Sequence, residues 1–137
     1  MNREELKAIL PHREPMLLID EAVRNDDGSA TGYYTVQGDE FFLQGHFPGN
    51  PIVPGVIQLE MMAQTCGVLM SAGGTAQTFY TGIDKVRFRE KVTPGDTVRF
   101  QCRITKSKGP FHFAEGKGYV GEKLCVQAEF SIAVIAT

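Results

Sequence analysis

The apolar positions of this chain change character three times. Residues 56–70, VIQLEMMAQTCGVLM, are apolar on almost every side, which predicts a helix buried over most of its surface rather than an amphipathic surface helix. The SAGG that follows predicts its end at Gly73 and Gly74. Beyond it, TFYTGIDKVRFREKV, TVRFQCRITKS, FHFAEGKGYV and KLCVQAEFSIAVIA are rich in strand formers. Turn sequences separate them: Pro-Gly-Asp at 94–96, Lys108 to Pro110, and Gly121-Glu122.

Ahead of the buried helix the pattern is more broken. Residues 1–9 predict a short amphipathic helix with Leu6 and Ile9 on one side, ending before Pro11. PHREPMLLIDEAV reads as a loop entering a strand, NDDGS (25–29) as a turn, and ATGYYTVQ as the partner strand of a first hairpin. Between Phe41 and Gly55 lie three prolines and three glycines, so this stretch is a loop with several constrained φ angles. A hairpin, one buried helix and three or four long strands predict an α+β layout, an antiparallel sheet wrapped around the helix. Such a sheet has an exposed edge, which predicts dimerisation by edge pairing.

Composition narrows the class. At 137 residues the chain is expected to form a single domain over 1–137, with core enough for independent folding. Hydrophobic content of 42% includes no run long enough to span a membrane, and MNREELKAIL lacks the apolar core of a signal peptide. A soluble, cytoplasmic protein is expected. The formal charge of −2 argues against a nucleic-acid binder. Cys66, Cys102 and Cys125 are odd in number and widely spaced, so they are expected to be reduced core residues. No HxxxH, GxGxxG, P-loop or GxSxG occurs, and neither metal nor cofactor is expected.

The chemical anomaly is Glu60, a carboxylate within an otherwise apolar helix, costly unless paired or neutralised. Gln64, four residues later on the same face, can orient it by a hydrogen bond. Glu60 could instead simply meet solvent or a subunit seam. Pro54 is expected at the first helical position, leaving Gly55 in the first turn with an N–H that has no intrahelical acceptor. That N–H suits a carbonyl oxygen that becomes negative during reaction, although a Pro-Gly pair more often serves only as a turn. His46, flanked by Gly45 and Phe47-Pro48, lies in the same loop. Histidine can take a proton near neutrality and a partly buried glutamic acid can give one. Together these parts suit removal of a proton beside a carbonyl and expulsion of a β-hydroxyl. His12, in a loop without a companion, and His112, between two phenylalanines, are read as structural.

LPHREPMLLID, GHFPGNPIVPGVIQLEMMAQ and IDKVRFREKVTPGD resemble the three signature blocks of the 3-hydroxyacyl-acyl carrier protein dehydratases of the FabZ type. The central block is the most specific, with His46 and Glu60 fourteen residues apart. The resemblance implies a hot-dog fold, dehydration to a trans-2-enoyl thioester, and a dimer whose active sites join His46 of one chain to Glu60 of the other. It also implies assembly as a trimer of dimers. FabA-like dehydratase-isomerases carry Asp where this chain has Glu60, so the simple dehydratase is favoured. Gly55 completes the catalytic set; Phe47, Pro54, Val56, Gln64 and Phe88 are the expected substrate contacts. Gln58 stands where an apolar residue is expected.

In KVRFREK, Lys85, Arg87, Arg89 and Lys91 alternate with Val86, Phe88, Glu90 and Val92, which in a strand puts four cations on one face. This stripe is either a solvated face or a docking surface for an acidic acyl carrier protein. Two other functions fit a hot-dog chain: an acyl thioesterase, which would not need His46, and a noncatalytic acyl-binding subunit, which would not need the pair.

Overall fold

The computed structural model describes residues 1–70 and 76–136. The N-terminal helix α1 is confined to Arg3–Leu6, shorter than expected, and opens on a capping box between Asn2 and Glu5. Strands β1 (Glu21–Arg24) and β2 (Ala30–Thr35) form the first hairpin across the Asn25–Ser29 turn. Helix α2 covers Gly55–Gly67, and the predicted stop at Gly73 and Gly74 lies outside the described residues. Four long strands follow: β3 (Ala76–Phe88), β4 (Thr97–Lys108), β5 (Phe111–Val120) and β6 (Lys123–Ala136).

All six described strands join one antiparallel sheet in the order β1-β2-β4-β5-β6-β3. Chain order and sheet order part at β3, which pairs with β6 and lies at an edge. Helix α2 packs on β2, β4 and β5, and the sheet wraps it as the hot-dog arrangement requires. Its run from Leu59 to Gly67 is buried except for Glu60, as the all-round apolar pattern predicts. Around it pack Val98, Phe100, Cys102, Val126 and Phe130, with Met61 and Met62 at the centre. Burying each such large side chain stabilises by roughly 1.5–3 kcal/mol. A smaller cluster of Leu6, Leu10, Leu17, Ile19, Ala22 and Val68 seats α1 and the segment after it.

Two glycines set how close the helix lies. A Cβ on Gly32 of β2 would stand 2.3 Å from Thr65 Oγ1, and one on Gly116 of β5 would stand 2.5 Å from Met62 Sδ. The helix therefore rests almost on the sheet backbone. Cys66, Cys102 and Cys125 are buried and free.

The cationic stripe departs from the sequence pattern. The register of β3 against β6 shifts between Asp84 and Arg87, and Lys85 adopts a positive φ of 50°. This bulge interrupts the alternation, and the strand stops at Phe88, so Arg89 and Lys91 lie beyond it. Lys85, Arg87, Arg89 and Lys91 therefore do not share one strand face.

Candidate active site

His46 is positioned by a tightly folded loop. A 3₁₀ turn at Phe41–Leu43 leads into it, the His46 N–H donates to Leu43 O at 3.1 Å, and the Asn50 N–H donates to Phe47 O at 2.8 Å. Gly45 and Gly49 have positive φ, as does Phe47 at 55°, a conformation uncommon for a bulky residue and of the kind found near functional groups. The imidazole Nδ1 lies 2.7 Å from Ile52 O. A carbonyl oxygen can only accept, so Nδ1 carries the proton and Nε2 of the neutral ring presents a lone pair. The Phe47 ring packs against the imidazole with centroids 4.5 Å apart.

Pro54 is the N-cap of α2 rather than its first residue, with an extended ψ of 142°, and its carbonyl accepts from the N–H groups of Ile57 and Gln58. Gly55 is thus the first helical residue, and its N–H has no acceptor among the described residues. The Phe88 ring lies against Gly55 so closely that a Cβ there would stand 2.7 Å from two ring carbons. His46, Pro54, Gly55, Val56, Gln58 and Phe88 share the walls of an open cleft of about 840 Å³, together with Ile83, Val86, Arg89, Glu90 and Lys91. Val56 and Phe88, which line it, are exposed by 73% and 53%; Phe47, which is not among the lining residues but packs on His46, is exposed by 57%.

Glu60 is not part of that cleft. Five helical steps from Gly55 turn it by about 140°, onto another side of α2. There its Oε2 accepts from Gln64 Nε2 at 2.9 Å, the bond expected from the spacing. Gln64 does more than orient a carboxylate. Its Nε2 also donates to Met16 O at 2.8 Å and its Oε1 accepts from the Leu18 N–H at 2.8 Å. The buried amide, expected among the substrate contacts, is committed to protein partners and clamps the segment before β1 onto the helix.

That clamp brings in a residue that sequence reasoning set aside. His12, far from lacking a companion, places Nε2 3.4 Å from Glu60 Oε2, while its Nδ1 is buried without a partner among the described residues. Neither residue signals this, because the contact joins the first loop to a helix nearly fifty positions later. His112 bonds Ser107 Oγ at 2.8 Å across the β4–β5 hairpin, in keeping with a structural role. Near Glu60, the Tyr80 hydroxyl donates to Leu59 O. Burial raises its ionisation well above the usual phenol range, and the Glu60 charge adds to the shift.

Of the four cations, Arg89 and Lys91 line the cleft, Arg87 is exposed and does not line it, and Lys85 pairs with Glu129 at 3.1 Å. Arg89 Nε also donates to Gln127 Oε1 at 3.3 Å. Gln58, the other unexpected residue, is buried in the cleft wall, and its Nε2 donates to Val53 O at 3.2 Å.

A family model described as a FabA-like domain matches residues 10–129. A 3-hydroxyacyl-[acyl-carrier-protein] dehydratase FabZ of Alkaliphilus metalliredigens is 40% identical, with 98% of this chain and 95% of that protein covered. The corresponding Pelotomaculum thermopropionicum protein is 42% identical, over 95% and 96%. A bifunctional LpxC/FabZ enzyme of Porphyromonas gingivalis is 40% identical over 98% of this chain but only 30% of its own length. Among solved structures, the dehydratase heterocomplex ApeI:P of Xenorhabdus doucetiae superposes with a TM-score of 0.84 at 22% identity, covering 96% of this chain and 91% of that one. At that identity the likeness establishes the shared fold.

Proposed function

The chain belongs to the FabA-like family, and on that premise we propose how its residues carry out the reaction its relatives are named for. It is a hydro-lyase that converts a 3-hydroxyacyl-[acyl-carrier-protein] to the trans-2-enoyl thioester in fatty acid biosynthesis. The Gly55 N–H, at the positive end of α2, binds the thioester carbonyl oxygen and stabilises the charge that grows there. His46 Nε2 removes the C2 proton. The electrons of that C–H bond form the C2=C3 double bond as the C3–O bond breaks, and the departing hydroxyl takes the proton of Glu60 and leaves as water.

The observation that carries this reading also gives it a condition. His46 and Gly55 share a cleft, whereas Glu60 lies on a different side of the same helix. A complete site therefore takes His46 and Gly55 from one chain and Glu60 from a second copy. The edge strand β3 and the apolar rim of Phe47, Val56 and Phe88 supply the surface for that pairing, and three such dimers form the assembly. Pro54, Val56 and Phe88 line the acyl tunnel, Phe47 flanks it through its packing on His46, and Gln64 acts on substrate through Glu60. Arg89 and Lys91 at the cleft, with the exposed Arg87 and Lys85 on the adjoining strand, steer an acidic carrier protein in the cytoplasm. Charge reversal at Arg87 and Arg89 is expected to raise KM for carrier-bound substrate in a salt-dependent way and to leave small thioester mimics unaffected.

His46→Ala and Glu60→Gln are each expected to abolish formation of the enoyl chromophore while the proteins remain folded. Mixing the two inactive variants at equal concentration, with exchange of subunits, tests the shared site. Half the dimers become mixed and each regains one intact site, so about a quarter of wild-type activity returns. No recovery after verified exchange would refute the shared site. Retained turnover in either variant would refute the roles, and free thiol without enoyl absorbance would identify thioester hydrolysis instead.

A further inference from the structure

We infer that His12 is a positioning residue for the proposed acid, holding the Glu60 carboxyl so that its transferable proton sits on Oε1. The inference rests on the reading of Glu60 as proton donor. Two nitrogens face one oxygen of that carboxyl: Gln64 Nε2 donates a hydrogen bond to Oε2 at 2.9 Å, and His12 Nε2 stands 3.4 Å from the same atom, at ion-pair distance rather than in a formed hydrogen bond. Oε1 has no partner among the described residues. An oxygen that accepts from the Gln64 amide and faces an N–H of His12 is a poor place for a proton of its own, so the carboxyl proton is directed to Oε1, the oxygen left for substrate.

The ring proton of His12 follows from its surroundings. Its Nδ1 is buried with no partner, so a proton there would be an unsatisfied N–H, and Nε2 would turn a lone pair toward a carboxyl oxygen. With the proton on Nε2 the ring turns an N–H toward the carboxyl oxygen, and the buried Nδ1 holds an unpaired lone pair instead of an unpaired N–H. The loop that carries the ring is firmly held. Arg13 Nη1 donates to Leu10 O at 3.0 Å and to His12 O at 2.7 Å, Arg13 Nη2 donates to Lys7 O at 3.1 Å, and the Gln64 amide grips Met16 and Leu18 on the other side. Gln64 thus fixes the carboxyl and also the segment that delivers the second donor. His12 touches Glu60 rather than the reacting atoms, which makes it a positioning residue and not a catalytic one.

The test replaces His12 with two amides of different reach. Glutamine places its N–H near the position of Nε2, asparagine near that of Nδ1. In steady-state dehydration of a 3-hydroxyacyl-carrier protein by the intact assembly, His12→Asn and His12→Ala are expected to lower kcat about tenfold with KM little changed. His12→Gln is expected to recover most of that loss, and all three variants should melt close to wild type. Three results would overturn the inference: wild-type kcat in His12→Ala, a glutamine variant as slow as the asparagine one, or a loss confined to KM. Glu60→Gln run in parallel separates the two layers. Should it keep its activity, the role of Glu60 itself fails and that of His12 falls with it; should it be inactive while the His12 variants are unimpaired, only the role of His12 fails.

Discussion

Gly32→Ala probes the contact that sets the height of α2 above the sheet. The added Cβ would stand 2.3 Å from Thr65 Oγ1, 3.0 Å from its Cγ2 and 3.1 Å from its Cβ. Rotating Thr65 relieves the first contact but not the last, because Cβ moves only with the helix backbone. Rotation also breaks the bond from Thr65 Oγ1 to Met61 O, now 3.0 Å, and leaves a hydroxyl unsatisfied in a fully buried position, at about 1–3 kcal/mol. Overpacking adds roughly 1–3 kcal/mol. Against these stand about 0.8 kcal/mol for burying one more methyl and about 0.5–1 kcal/mol for the smaller entropy of the unfolded alanine chain. The net expectation is a loss of about 2 kcal/mol, read from urea unfolding at fixed protein concentration, since subunit association enters the midpoint. Thr65→Ala removes the two closest atoms. In the Gly32→Ala/Thr65→Ala double variant at least about 1 kcal/mol should return relative to the sum of the single losses. A Gly32→Ala protein within about 0.5 kcal/mol of wild type, or strictly additive losses, would refute this account of how the helix is seated.

Gly55→Ala keeps the N–H but drives a Cβ to 2.7 Å from Phe88; the half-exposed ring swings into the cleft, so kcat/KM should fall at least about tenfold while the unfolding midpoint barely moves, and an unimpaired enzyme would contradict the close approach. Burial pushes the Cys66 thiol up to about 12 and raises Cys102 well above the usual thiol range. The unfolded chain therefore loses these protons first as pH rises. The contribution of the buried thiols is full below about pH 9 and is lost toward pH 12, by up to about 1.4 kcal/mol per pH unit for Cys66. Urea titrations across that range should show the slope, and Cys66→Ala should make it shallower, with the part due to Cys102 remaining. At pH 8 a thiol reagent should modify the native protein slowly and all 3 cysteines rapidly once urea unfolds it.

Much of the site is readable because its parts are local. The apolar run after Pro54 marks a buried helix, the helix start leaves the Gly55 N–H without an acceptor, and Gln64 follows Glu60 by one helical turn. What sequence leaves unread depends on distant pairing. The placement of β3 at an edge beside β6 comes from register across some fifty positions. The bulge that diverts Lys85 has no local signal, since lysine has no preference for positive φ. Pro54 looked like a first helical residue because proline favours that place; its carbonyl, accepting from Ile57 and Gln58, makes it the cap. His12 stayed hidden because its neighbour is chosen by the grip of Gln64 on Met16 and Leu18.

The imidazole of His46 is anchored by a main-chain carbonyl, that of Ile52, and not by a carboxylate side chain. Every amino acid carries that carbonyl, so no substitution at residue 52 that preserves the loop can delete the acceptor. The orientation of the base is thereby insulated from point mutation at its own support and exposed instead to changes in loop shape at Gly45, Phe47 and Gly49, where φ is positive. Drift in the family should accordingly be freer at position 52 than at these three, and an engineer seeking to retune the base has backbone geometry, rather than a partner charge, as the available handle.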